Sequence, residues 1–231
     1  MRTIGLIGGM SWESSMEYYR LINEMVKARL GGLHSARCIM TSVDFAEIEE
    51  YQRLGQWDKA SDVLVGAAKG LERAGAECVV LCTNTMHKVA GAIQYSVRIP
   101  LLHIADGAAE KIVQAGLKKP GLLGTRFTME EDFYKQRLVE HFGLEVLIPD
   151  KAQRAMIHRV IYGELVLGEI NPVSRDEFRQ AIRDLIGRGA DCIILGCTEI
   201  GLLVKPEDSL VPLFDTTYLH AEAAVDFSLK E

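Results

Sequence analysis

Two stretches of the chain carry potentially reactive side chains in matching places. Ala76-Glu-Cys-Val-Val-Leu-Cys-Thr83-Asn-Thr85 aligns without a gap with Ala190-Asp-Cys-Ile-Ile-Leu-Gly-Cys197-Thr-Glu199, about half of the 231 residues further on. Each is an apolar run ending in a side chain able to handle protons, threonine in the first copy and cysteine in the second. Gly196 allows a tight exit before Cys197, and Thr198-Glu199-Ile200 can start a helical turn. A thiol there meets free backbone N–H groups and a helix dipole, so the sequence predicts a Cys197 pKa lowered toward the thiolate. Such a group suits a nucleophile or the base toward a carbon acid. Thr83 has the equivalent place without the equivalent chemistry. Its hydroxyl is not ionised near neutral pH unless a neighbour activates it, but it donates, accepts and holds a water.

The neighbours extend this pattern. Asn84, Thr85 and Thr198 are compact donors and acceptors suited to a carboxylate and an ammonium group, or to capping helices. Cys82 adjoins Thr83 on a strand and so points to the opposite face, where it packs. Cys78 and Cys192, in register mid-strand, are also read as structural. His87, one helical turn beyond Thr83, is read as a helix cap in preference to a residue lining the cleft. The glycine-rich turn Gly5-Leu-Ile-Gly8-Gly9-Met10 lacks dinucleotide spacing, and its glycines let the backbone approach a small anionic ligand.

Strands are needed to bring these residues to one edge. Short Val/Ile/Leu runs without polar alternation, at 3–7, 38–43, 78–82, 99–104, 121–124, 144–148, 191–196 and 210–214, are the pattern of parallel strands buried on both faces. Helical periodicity fills the gaps at 12–30, 58–74, 105–115, 130–142, 152–168 and 175–187, several closing at glycine. The repeat extends to Ile4-Gly-Leu-Ile-Gly-Gly9 against Pro120-Gly-Leu-Leu-Gly-Thr125, and to Arg98-Ile-Pro-Leu-Leu102 against Leu210-Val-Pro-Leu-Phe214. The expected fold is α/β: two pseudo-symmetric, doubly wound parallel-sheet halves with the site between them. The halves are placed at 1–116, with part of 215–231 packing there, and at 117–231. If the copies face each other, Thr83 and Cys197 flank one cleft, with Met10, Thr125 and Glu199 at neighbouring strand ends.

Composition removes several classes of function. A formal charge of −6 argues against binding a phosphate backbone, and the apolar runs are strand-length rather than membrane-spanning. Five cysteines, an odd number, and no recognisable secretion signal read as a reduced, cytoplasmic protein. Cysteine and histidine spacings fit no metal site, and no phosphate loop is present, so neither metal nor cofactor is expected.

The segments Cys-Thr83-Asn84-Thr85-Met-His87 and Gly196-Cys197-Thr198-Glu199, with Ile-Gly-Leu-Ile-Gly-Gly-Met10 at the start, resemble the aspartate/glutamate racemase family along the whole chain. The resemblance implies cofactor-independent, PLP-independent chemistry, in which one cysteine removes the α-proton of an amino acid and another delivers a proton to the opposite face. Glu199, where wall-forming glutamate racemases carry histidine, points to the aspartate branch. Two departures stand out. Thr83 replaces the first cysteine, and the segment Ile161-Tyr-Gly-Glu-Leu-Val166-Leu-Gly168 lacks the lysine with which aspartate racemases of the family hold substrate. Gln52 and Arg53 are candidates for recognising the substrate side chain, and the choice between aspartate and glutamate stays open.

The resemblance thus implies an isomerase on which the Cys197 thiolate takes the α-proton of an L-acidic amino acid, while Thr83 or a water it holds serves the other face. The alternatives are a single-cysteine decarboxylase or isomerase of the same fold, and a non-catalytic binder of acidic amino acids. The expected partner is the small acidic amino acid alone, with no nucleic acid or membrane; a homodimer is compatible with the sequence.

Overall fold

The computed structural model describes residues 1–230 and contains two compact units, Met1–Ile104 with the C-terminal residues from His220, and Ala105–Leu219. The sequence reading puts the boundary after Gly116. Instead, the chain leaves the first unit at the start of a helix and rejoins it in the middle of the last one.

The first unit contains β1 (Ile4–Gly8), α1 (Trp12–Leu30), β2 (Cys38–Ser42), α2 (Phe45–Arg53), α3 (Trp57–Arg73), β3 (Cys78–Leu81), a 3-10 turn at Thr85–Val89, α4 (Ala90–Ser96) and β4 (Leu101–Leu102). Its parallel sheet has the order β2-β1-β3-β4. β1 and β3 are central and wholly buried, as their unbroken apolar runs require. Strand alternation divides the core. Val79 and Leu81 pack with Leu64, Ala68 and Leu71 of α3, whereas Cys78, Val80 and Cys82 pack with Tyr18 and Ile22 of α1 and with Ala221 and Ala224.

The second unit follows with α5 (Ile104–Gln114, its first residue still in the first unit), β5 (Pro120–Gly124), α6 (Arg126–Glu130), α7 (Asp132–Phe142), α8 (Lys151–Gly163), a 3-10 turn at Leu165–Leu167, α9 (Pro172–Gly187), β6 (Cys192–Gly196), α10 (Ile200–Leu203), a 3-10 turn at Pro206–Asp208, β7 (Leu213–Asp215) and the start of α11 (Thr216–Leu229, in the first unit from His220 onward). Its parallel sheet runs β5-β6-β7. Ile193, Leu195 and Cys197 pack on one face against Ile157 and Val160 of α8 and Phe178 and Ile182 of α9. β5, β6 and β7 repeat the connectivity of β1, β3 and β4, as the internal repeat predicts.

Some elements differ from the sequence expectation. The stretch 144–148 supplies only a single bridge, Leu147 to Gly121. Leu144 is still tied to the end of α7 through Leu138, and Pro149 has no N–H with which to continue the ladder. The run 99–104 shortens to β4 because Ile104 already begins a helix, although the Pro100 carbonyl still accepts from Val79. The run 210–214 moves forward to β7. α2 and the segment from Thr85 to Ser96, both short, escape the periodicity reading.

Candidate active site

In the second unit the register Gly124↔Gly196 places the exits of β5 and β6 side by side. Gly196 is needed there, since a Cβ would meet the Leu123 carbonyl at 2.8 Å. Thr125 follows β5 as the N-cap of α6, its hydroxyl accepting from the Thr128 N–H at 3.3 Å. Cys197, Thr198 and Glu199 follow β6, and all three are buried. The Cys197 thiol donates to Glu199 Oε2 at 3.0 Å, and the Thr198 hydroxyl donates to the same oxygen at 2.6 Å. Glu199 thus works as an acceptor for the thiol, a role its place two residues on did not disclose. The segment beyond is anchored by Asp208, whose buried carboxylate accepts from Arg175, Arg179 and the Lys205 N–H.

This arrangement reverses the expectation for Cys197. Its pKa is raised well above the ordinary thiol value, first by burial and then by the Glu199 carboxylate beside it. The N–H groups of Thr198 and Glu199 do pull it down, as predicted, but they are outweighed. α10 has only four residues, a short source for a stabilising dipole. At rest Cys197 is a thiol hydrogen-bonded to a proton acceptor.

In the first unit β1 and β3 are neighbours, so Met10 and Thr83-Asn84-Thr85 come to adjacent exits. Gly9 has φ +94°, and a Cβ there would collide with Val43; its N–H donates to Ser15 Oγ at 2.8 Å, holding the turn that carries Met10. Thr83, Asn84 and Thr85 are all buried, and no cysteine stands at this exit other than Cys82. Cys82 faces the Tyr18 side of the core, and burial pushes its pKa strongly up, so it is a packing thiol. Asn84 begins the 3-10 turn without capping it by its side chain. Gln52 is buried on α2 with Nε2 3.0 Å from Met86 Sδ, which brings it to the turn containing Thr85, whereas Arg53 is exposed beside Glu50.

The candidate residues therefore form two clusters, Met10, Gln52, Thr83, Asn84 and Thr85 in one unit and Thr125, Cys197, Thr198 and Glu199 in the other. A histidine group in the first unit was not foreseen. His87 does not cap a helix end; its Nδ1 lies 2.7 Å from the Thr83 carbonyl and its Nε2 accepts from the Ile104 N–H at 3.2 Å. Among the described residues no group of three or more His, Cys, Asp or Glu is gathered as a metal set, and no helix is long and apolar enough to cross a membrane.

A family model described as Asp/Glu/Hydantoin racemase matches residues 7–224. The crystal structure of a candidate Asp/Glu racemase from Yersinia pestis has 55% sequence identity and a TM-score of 0.93 over 100% of both chains. That of an aspartate racemase homologue from Pyrococcus horikoshii OT3 has 34% identity and a TM-score of 0.85 over 99% of both. The broad specificity amino-acid racemase RacX of Bacillus subtilis is 26% identical over 171 residues, covering 73% of this chain and 72% of that protein. A match spanning nearly the whole sequence, together with a shared fold at high identity, leads to one conclusion: the chain belongs to the Asp/Glu/hydantoin racemase family.

Proposed function

We propose that the protein is a cofactor-independent racemase of an acidic amino acid, aspartate or glutamate, with a preference for the L-enantiomer. The observation that carries the reading is the Cys197 thiol 3.0 Å from Glu199 Oε2, at the strand exit whose counterpart in the other unit bears Thr83. Cys197 passes its proton to Glu199 and, as thiolate, takes the α-proton of the L-substrate, leaving a planar enolate-like carbanion. Thr83, or a water it holds, gives a proton to the opposite face and is recharged from solvent, while Glu199 releases to solvent the proton it took from Cys197. Met10, Gln52, Asn84, Thr85 and Thr125 hold the substrate, and hydrogen bonds from Asn84 and Thr85 to the developing enolate lower the barrier. The hydroxyl proton of Thr198 is committed to Glu199, so that residue serves through the acceptor rather than through substrate.

The proposal requires Thr83 and Cys197 to address opposite faces of one carbon. Only Cys197 is then a group that can become a strong base, and the family assigns the second-half cysteine to the L-face. Five free thiols suit a reducing, cytoplasmic setting.

The test follows the α-proton of both enantiomers of both acids in deuterated water. Exchange and inversion of an L-acid support the reading. Rapid exchange of the D-forms with none of the L-forms overturns the role of Cys197, and a Cys197→Ala enzyme with normal turnover removes the mechanism.

A further inference from the structure

Three buried side chains of the first unit, Tyr18, His87 and His220, lie together behind the exit of β3, and one of them, His87, hydrogen-bonds the backbone of Thr83. Tyr18 on α1 and His220 on α11 meet at 2.8 Å, hydroxyl to Nδ1, and His220 Nε2 lies 2.8 Å from the carbonyl of Leu102, the last residue of β4. His87 bridges the Thr83 carbonyl and the Ile104 N–H, and its ring packs against His103, 4.5 Å between centroids, and His220, 5.8 Å. Tyr18, His87 and His220 are each at most 3% exposed.

These partners determine where the protons sit. A backbone carbonyl only accepts and a backbone N–H only donates. His87 is therefore neutral, with Nδ1–H donating to Thr83 and bare Nε2 accepting from Ile104. His220 carries a proton on Nε2, which donates to the Leu102 carbonyl, while its Nδ1 pairs with the Tyr18 hydroxyl. The β3–β4 ladder ends at the pair Val80↔Leu102. Just beyond it the imidazole of His87 satisfies one polar group on each segment, the Thr83 carbonyl and the Ile104 N–H.

We propose that His87 is a positioning residue that sets the backbone, and so the hydroxyl, of Thr83 for proton delivery. This rests on the reading of Thr83 given above. Without the imidazole, a buried carbonyl and a buried N–H lose their partner, and the exit of β3 is free to shift. A displacement near 1 Å at a reacting group costs on the order of a hundredfold in rate.

The experiment is a partition ratio: D-enantiomer formed against deuterium washed into recovered L-substrate, for wild type, Thr83→Ala, His87→Ala and His87→Gln. Wash-in needs only the Cys197 side, and a loss of folded protein lowers both quantities equally, so the ratio reports delivery to the opposite face. His87→Ala should lower the ratio roughly tenfold to a hundredfold. His87→Gln, which keeps one donor and one acceptor, should restore most of it. A changed ratio in Thr83→Ala with an unchanged one in His87→Ala overturns the positioning role alone. An unchanged ratio in Thr83→Ala overturns the reading on which it rests. Independently of activity, a histidine side-chain nitrogen correlation spectrum, with His87 assigned by its absence in His87→Gln, should show the neutral Nδ1–H form; an Nε2–H or doubly protonated His87 overturns the bridge.

Discussion

Replacing Glu199 with glutamine should move two properties of Cys197 in opposite directions. A carboxylate oxygen 3.0 Å from the sulfur repels a thiolate by about 5 kcal/mol at an effective dielectric of about 20. A quarter of that suffices for a tenfold change in thiolate population, since about 1.4 kcal/mol is a factor of ten. Glutamine keeps the shape and removes the charge. Burial, the first cause of the raised pKa, remains, so the thiol stays harder to ionise than a free one but ionises more readily than in wild type. Alkylation of Cys197 by iodoacetamide near pH 8, read by mass spectrometry, should therefore quicken by roughly tenfold. Turnover should fall by about a hundredfold to ten-thousandfold, because glutamine cannot receive the thiol proton. A variant that alkylates faster and racemises as well as wild type would refute the role of Glu199 as acceptor. Slower alkylation would refute the electrostatic argument itself.

Thr83→Cys should raise α-proton exchange of D-aspartate or D-glutamate above the wild-type rate, because a thiol then stands at both exits; equal D-exchange in the two proteins would count against position 83 meeting substrate. Stability should fall in alkali. Burial raises the pKa of Cys78, to about 12, and of Cys82, Cys192 and Cys197, so these thiols stabilise the fold fully below the unfolded value of about 8.5 and lose that contribution progressively as pH rises from there toward their raised folded values. Each should cost about 1.4 kcal/mol at pH 9.5, and a denaturant midpoint equal at pH 7.5 and 9.5 would contradict this. Asp208→Ala should lower the urea midpoint of unfolding, since the Lys205 N–H loses its acceptor and the partly exposed Arg175 and Arg179 lose the carboxylate they share. An unchanged urea midpoint would show the cluster to be idle.

Much of this protein is legible one segment at a time. The runs at β1, β3, β5 and β6 are buried on both faces, and that requirement writes itself into consecutive residues. The glycines closing α1 and α7 mark their ends in the same local way. The repeat places Thr83 and Cys197 at equivalent exits, because a strand's end is set by where its own apolar run stops. The protonation state of Cys197 could not be read so, since it depends on how deeply the β6 exit is buried and on which way Glu199 turns. Local N–H groups predicted a lowered pKa; the packed environment gives a raised one. Likewise His87 and Ile104 are 17 residues apart, and Tyr18 and His220 are 202 apart. Sequence alone determined which side chains could carry protons and at which strand ends they stand. Only the tertiary structure decided which of them hold a proton, and for which partner, because burial and hydrogen-bond direction arise from groups the chain brings together only on folding.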